Sequence, residues 1–301
     1  MSTELLASID GEIANAPKQL VDGIYSGVPL EDYLRWPILS QSMLKEGRAS
    51  MAHLKAAMDR ELEKKVTDDM KLGSALHTCF LEPEYAADRI AIWRKGRRYG
   101  AEWDGFCDEH ASKVILTINL HARLVGMVKA LRKHPFVREW SSKIEAVEIS
   151  KVGLVQGVRM KGRCDALTSD PLVDLKKVKS ADVASFTRTV LNFGYEIQGA
   201  TYTELYQRER FVFVGVEGTP PYDVMAYELS PALLRHGRRQ AAAIIDRYKV
   251  CCEIGIWPGR CSDPEPVTLE MPGWLSDQIN SEITFGGAAF VEESEEENGE
   301  G

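Results

Sequence analysis

Two aspartates and a lysine carry the most specific chemistry in this sequence. Asp165 closes the run Met160-Lys161-Gly162-Arg163-Cys164-Asp165, and Asp174 and Lys176 stand two apart in Val173-Asp174-Leu175-Lys176. Magnesium, a hard cation, is satisfied by one or two carboxylates, with water and substrate phosphate completing its octahedron. Such an ion activates water and offsets the charge that builds during phosphodiester hydrolysis. Side chains alternate along a strand, so Lys176 projects from the same face as Asp174. An ammonium there orients and helps deprotonate the attacking water and balances charge on the phosphorane. The acid-x-Lys spacing is weak evidence by itself. It recurs in Glu63-Lys64-Lys65 and Asp69-Met70-Lys71, in helical sequence with no strand acid before it. For Asp174 and Lys176 taken alone, a structural salt bridge is the simpler account.

Other polar residues are spaced to join them. Gln198 and Tyr202 are four apart in YEIQGATYTELY and share a helix face. His77 lies in the helical stretch MKLGSALHTCFLEP, where a lone histidine is more often a packed or capping residue than a ligand. Glu148, or Glu145, stands at the first strand, where a solvent-facing acid and a metal ligand fit equally. Basic residues gather at Arg94 to Arg98, Lys176 to Lys179 and Arg235 to Arg239. Arg97, Arg98, Lys177 and Lys179 are the candidates for contact with nucleic-acid phosphates, although such clusters are usually solvated faces.

The elements that must position these residues follow from hydrophobic periodicity. LSQSMLKEGRASMAHLKAAMDRELEKK reads as helical with Ser40 as N-cap, and residues from about 101 to 139 as helical with a loop near Thr117. AVEISK, LVQGVRMKGRCDAL and PLVDLKK read as three successive strands. A helical stretch broken near Asn192 to Gly194 follows, then strands FVFVGVE and YDVMAYELS, then a long helix capped by Ser230 with Pro231 first. Strands run together between helices, which predicts an α/β fold with a central sheet flanked by helices rather than a doubly wound one.

The 301 residues and 44% hydrophobic content suit one main core. Net charge is −8, but EESEEENGE near the end carries six acids and no base, so the body is close to neutral. Residues 1–38 are expected to be an N-terminal extension, 39–290 the main domain, and 291–301 a disordered acidic tail. No stretch reaches the roughly 18 apolar residues of a membrane helix. The N-terminus lacks a secretory pattern. The expectation is a cytoplasmic protein, off the membrane, with its six cysteines reduced.

Taken in order, GSALH, KGRCDAL, VDLKK and QGATY resemble the successive motifs of RecB-type PD-(D/E)XK nucleases. LSQSMLKEGRASMAHLK, MKLGSALHTCFLEPE, FGYEIQGATY and GIWPG are similar to segments of the phage branch related to the nuclease domain of exonuclease VIII, over roughly Leu39 to Arg260. The resemblance implies a restriction-endonuclease-like core with a mixed sheet. It also implies a magnesium-dependent exonuclease, with manganese as a substitute ion, that digests double-stranded DNA from its ends, 5′ to 3′, and hands the exposed strand to a single-strand annealing protein. Phage or prophage origin in a bacterial host and a ring-like homo-oligomer belong to the same expectation. By that likeness Asp165 and Asp174 bind metal, the Leu175 carbonyl adds a ligand, and His77 and Glu148 complete the shell. Lys176 is the catalytic lysine, and Gln198 and Tyr202 steady the site. Ser42 and Arg48, beside Ser40, are candidates for a pocket that selects a 5′-phosphate. Two departures stand out: Cys164 replaces the proline that names the motif, and Lys177-Val178 stands where the family often has threonines. Two other readings remain: a catalytically inactive DNA-binding scaffold of this fold, and an iron–sulfur relative, against which the spacing of Cys251, Cys252 and Cys261 argues.

Overall fold

The computed structural model describes residues 20–62, 65–260, 266–273 and 275–276. The expected acidic tail, Glu63, Lys64 and Cys261 lie outside the described residues. The chain forms two compact units, Met1–Arg260 and Cys261–Gly301, and the sheet with its surrounding helices belongs to the first. In chain order the elements are β1 (Gly23–Tyr25), α1 (Leu30–Arg35), β2 (Leu39–Ser40), α2 (Gln41–Glu46), α3 (Met51–Met58), α4 (Asp68–Leu81), α5 (Ala86–Arg89), β3 (Ile90–Trp93), α6 (Ala101–Glu109), β4 (Val114–Thr117), α7 (Ile118–Lys133), α8 (Pro135–Ser141), β5 (Ala146–Val155), β6 (Val158–Leu167), β7 (Leu172–Val178), α9 (Val183–Phe193), α10 (Tyr195–Tyr206), β8 (Phe211–Glu217), β9 (Val224–Glu228) and α11 (Pro231–Ile254).

The three-strand meander forms as its alternation predicts, with one boundary moved. Leu154 and Val155, read as opening the second strand, instead close β5. Gln156 and Gly157 both take positive φ, 50° and 74°, which makes the two-residue turn whose twist matches a hairpin. Beyond β7 the chain crosses through α9 and α10 and returns as β8, parallel to β7, before β9 turns back antiparallel. The spatial order is β1-β5-β6-β7-β8-β9, with β2 lying parallel beside β6.

Helices cover both faces of this mixed sheet. On one face α2, α3, α9, α10 and α11 bury Leu44, Leu54, Phe186, Ile197 and Ile244 against strand residues such as Met160 and Phe213. On the other, α4, α7 and α8 bury Leu72, Leu76, Leu124, Met127 and Trp140 against Val173, Leu175 and Val214. The sequence Leu39 to Lys65, read as one helical region, starts as β2 and splits into two helices. Ser40 caps the first by accepting from Met43 N and Ser50 the second by accepting from His53 N. A further difference is a separate two-stranded parallel sheet of β3 and β4 joined through α6. Gly194, at φ +64°, ends α9 in the left-handed conformation and so produces the break expected near Asn192. No helix among the described residues is long and apolar enough to cross a membrane.

The described part of the N-terminal extension is fastened to the sheet. β1 pairs with β5, and Tyr33, Trp36 and Ile38 form a small core with Val152. Arg159, Lys161 and Arg163 alternate along β6 and project to one side. Each is taken by this segment: Arg159 by Asp22 at 2.7 Å and the Leu20 carbonyl, and Arg163 by the Val28 carbonyl at 2.7 Å. Lys161, 2% exposed, donates to the carbonyls of Tyr33, Leu34 and Trp36 at 2.7, 3.2 and 2.8 Å. An ammonium buried this far is tolerable because carbonyls at the end of α1 replace its water.

Candidate active site

The site forms where β6 and β7 part. These antiparallel neighbours share one bridged pair, Ala166 with Val173. In the opening Asp165 replaces the missing backbone acceptor, taking a hydrogen bond on Oδ2 from Leu175 N at 2.7 Å. Its Oδ1 faces His77 Nδ1 at 3.6 Å, and Glu148 Oε1 faces the same nitrogen at 3.8 Å. The imidazole is aimed by its other nitrogen, which donates from Nε2 to the Leu175 carbonyl at 2.9 Å. That carbonyl, implied by the resemblance as a metal ligand, therefore spends one lone pair on orienting His77.

Glu148 stands at φ +52°, a left-handed conformation costing a non-glycine residue roughly 1–2 kcal/mol. It lies across the β5–β6 ladder from Asp165, between the pairs Val147–Ala166 and Ile149–Cys164. Opposed like charges on adjacent strands are destabilising. The strain and the repulsion are held by His77 and by Arg163, whose Nε donates to Glu148 Oε2 at 2.7 Å. Glu145, the alternative acid, is exposed and engages through its backbone N with the Leu167 carbonyl.

Asp174 and Lys176 share the pleat that faces α10. Gln198 Nε2 donates to Asp174 Oδ1 at 2.5 Å. Asp174 Oδ2 is buried, lies against the Lys176 ammonium, and accepts no well-directed hydrogen bond. Tyr195 places its ring under the same ammonium at 5.2 Å. Tyr202 lies deeper and holds the strand: its hydroxyl accepts from Arg163 N and donates to Arg163 O at 3.2 and 3.0 Å. Tyr206 does the same for Cys164 N, Ile149 O and Gly162 O.

Electrostatics set these groups apart from ordinary ion pairs. Burial, and then the charge of Asp174, push Asp165 up to about 7. Burial pulls His77 down, but Asp165 and Glu148 outweigh it and lift the imidazole to about 9. Burial raises Glu148, yet hydrogen bonds from His77 and Arg163 leave it below the usual carboxylate range. Lys176 is held above the usual lysine range, because Asp174 and Asp165 outweigh the cost of burying it.

The other sequence-derived candidates make other contacts or stand exposed. Arg48 donates to the Leu191 and Asn192 carbonyls at the end of α9, which satisfies a helix terminus. Ser42 hydrogen-bonds to Ser40 at 2.9 Å. Lys177 points to the opposite face and pairs with Asp69 at 2.9 Å, and Lys179 is exposed beyond β7. Arg98 Nη1 donates to both oxygens of Asp68, and Arg97 lies over the Tyr99 ring.

The donor set suits a hard divalent cation. Ligand atoms of His77, Glu148 and Asp165 all come within 4.8 Å of one another, with no other such group among the described residues. Asp165, driven to about 7 by burial and then by the charge of Asp174, calls for positive charge, and Asp174 keeps an under-bonded oxygen. Arg163, not anticipated from the sequence as a site residue, holds Glu148 in this arrangement. Its signal was present: a charged residue at every second position of an otherwise apolar strand. Arg163→Ala is expected to weaken binding of manganese alone by about 10- to 100-fold, the usual effect of removing a ligand's support. Calorimetric titration of the DNA-free protein measures it, and unchanged affinity would remove Arg163 from the site.

The model of the PDDEXK-like domain of unknown function (DUF3799) matches residues 40–268. No curated protein matches the chain. Among solved structures, a protein of Eubacterium rectale, named provisionally as an exonuclease, is 14% identical with TM-score 0.56, over 84% of this chain and 98% of that one. It shows the shared fold. An alkaline exonuclease from Laribacter hongkongensis is also 14% identical, over 74% of this chain and 95% of its own, but its TM-score of 0.34 carries no argument. The family match spans most of the chain and takes in His77, Glu148, Asp165, Asp174 and Lys176. The chain belongs to this PDDEXK-like family, within the PD-(D/E)XK nuclease superfamily.

Proposed function

We propose that the chain is a magnesium-dependent exodeoxyribonuclease, with manganese able to substitute, that degrades duplex DNA from its ends in the 5′ to 3′ direction. The observation that carries this reading is the convergence of His77, Glu148 and Asp165 beside the Asp174–Lys176 pair. Those four acidic and imidazole side chains would hold the ion. When bound, it supplies Lewis acidity at the scissile phosphate. Lys176, kept protonated by two aspartates, orients the attacking water and offsets charge on the phosphate. An ammonium has no lone pair, so in that state it does not take the water's proton. Gln198 fixes the rotamer of Asp174, and the Leu175 carbonyl fixes that of His77. Cytoplasmic action in a phage-bearing bacterium, transfer of the exposed strand to an annealing protein, and a ring-like homo-oligomer complete the proposal, supported by the motif resemblance.

Digestion of end-labelled linear duplex against closed circular duplex, with magnesium and with EDTA, tests it. Loss of the linear form alone, arrested by EDTA, is expected. Cleavage of the circle would reassign the chain as an endonuclease, and DNA binding without cleavage would favour the inactive scaffold.

A further inference from the structure

The segment Arg94–Gly100, between β3 and α6, is exposed throughout yet fastened at three points. Trp93 Nε1 donates to the Arg97 carbonyl at 2.8 Å, Lys95 pairs with Glu102 at 2.7 Å, and Arg98 grips both oxygens of Asp68 at 2.9 Å. Beneath it, Trp93 packs edge-on against Trp103 and is tilted against Phe106. This anchoring leaves Tyr99 70% exposed, with the Arg97 guanidinium 5.8 Å from its ring centre. Among the described residues neither Arg94 nor Arg97 makes an ion pair with an acid. The loop thus presents an exposed tyrosine ring beside two arginines that no acid pairs among the described residues. Planar π-faces flanked by cations are what an unpaired nucleobase and its phosphates recognise, largely without regard to sequence.

We infer that Arg94, Arg97 and Tyr99 form a contact for single-stranded DNA, with Tyr99 stacking on an unpaired base next to the duplex end. This rests on the nuclease reading of the main site. Asp68, which holds the loop through Arg98, lies on α4 about 14 Å along the axis from His77. That is roughly four base-pair steps of DNA. Nine positions also turn the helix by about half a revolution, so the loop is held on the side of α4 away from the His77 imidazole, and only a strand that passes round the helix meets both.

The test uses the full chain in EDTA, with a blunt duplex and a duplex carrying a single-stranded tail labelled with 2-aminopurine. Tyr99→Ala is expected to weaken binding of the tailed duplex about tenfold, the size of one lost base stack, and to abolish the change in 2-aminopurine fluorescence. Blunt-duplex binding stays as in the wild type, and Tyr99→Phe behaves as the wild type. Equal binding of the tailed duplex by Tyr99→Ala overturns the inference while leaving the nuclease reading intact. Loss on Arg94→Ala and Arg97→Ala but not on Tyr99→Ala means plain phosphate attraction and also overturns it. A wild-type chain that binds neither duplex overturns the inference, and cleavage of the linear duplex with magnesium decides the nuclease reading separately.

Discussion

Asp165→Asn and Asp174→Ala are each expected to lower metal-dependent DNA cleavage by about 10³-fold or more, equivalent to roughly 4 kcal/mol of lost transition-state stabilisation. Each removes a carboxylate from the side chains that would hold the ion. Burial of Asp165, and then the charge of Asp174, set the stability of Asp165→Asn. With the folded carboxyl at about 7 and the ordinary value at 3.8, the folded state keeps a proton that the unfolded state has lost between these limits. The unfolded chain then binds fewer protons, so this group's contribution to stability falls as pH rises across that window. Asp165→Asn cannot ionise and should flatten the fall, melting no lower than the wild type at pH 8. Steady-state cleavage with thermal melts at pH 5 and pH 8 separates the two effects. An inactive protein that also melts early would point to a structural role, and full activity in either variant would remove that aspartate from the site.

The largest expected loss of stability lies at Lys161. Methionine there keeps most of the buried volume but leaves the carbonyls of Tyr33, Leu34 and Trp36 without their donor. Three hydrogen bonds from a charged group are worth about 1.5–3 kcal/mol each, offset in part by no longer burying the ammonium. A net destabilisation of about 3 kcal/mol, or roughly 6–12 °C in Tm for a unit of this size, is expected. Arg159→Met, at the exposed end of the same ladder, should cost well under 1 kcal/mol. Melting curves for both variants check the contrast. Equal, small effects would mean that water reaches the carbonyls when the amine is gone.

Much of this was legible in the sequence. Period-two alternation located β5, β6 and β7, Pro231 and Ser230 located the start of α11, and the ordered motifs located the acids. Gln156-Gly157 was passed over as a turn because glutamine is rarely read as a left-handed residue, and the boundary between β5 and β6 moved accordingly. The pair β3 and β4 was lost because its strands are four residues each, too short for periodicity to separate from helix. Within the site, single-sequence reasoning ranks residues by chemistry, so it kept Arg48 and Lys177, which the fold spends on a helix end and on Asp69. It missed Arg163, which holds Glu148 across the β5–β6 hairpin while another of its nitrogens donates to a carbonyl 135 positions away in the chain.

That distance bears on how the protein is born. The N-terminal segment leaves the ribosome first, but its partners on β6 follow some 125 to 139 residues later. Closing so long a loop is slow compared with forming local helices and hairpins. The support of Glu148 through Arg163 is thus completed only after most of the sheet has been synthesised. A hydrolytic centre assembled this late spends translation in an unfinished state, and the growing chain is spared a competent nuclease until its framework is in place.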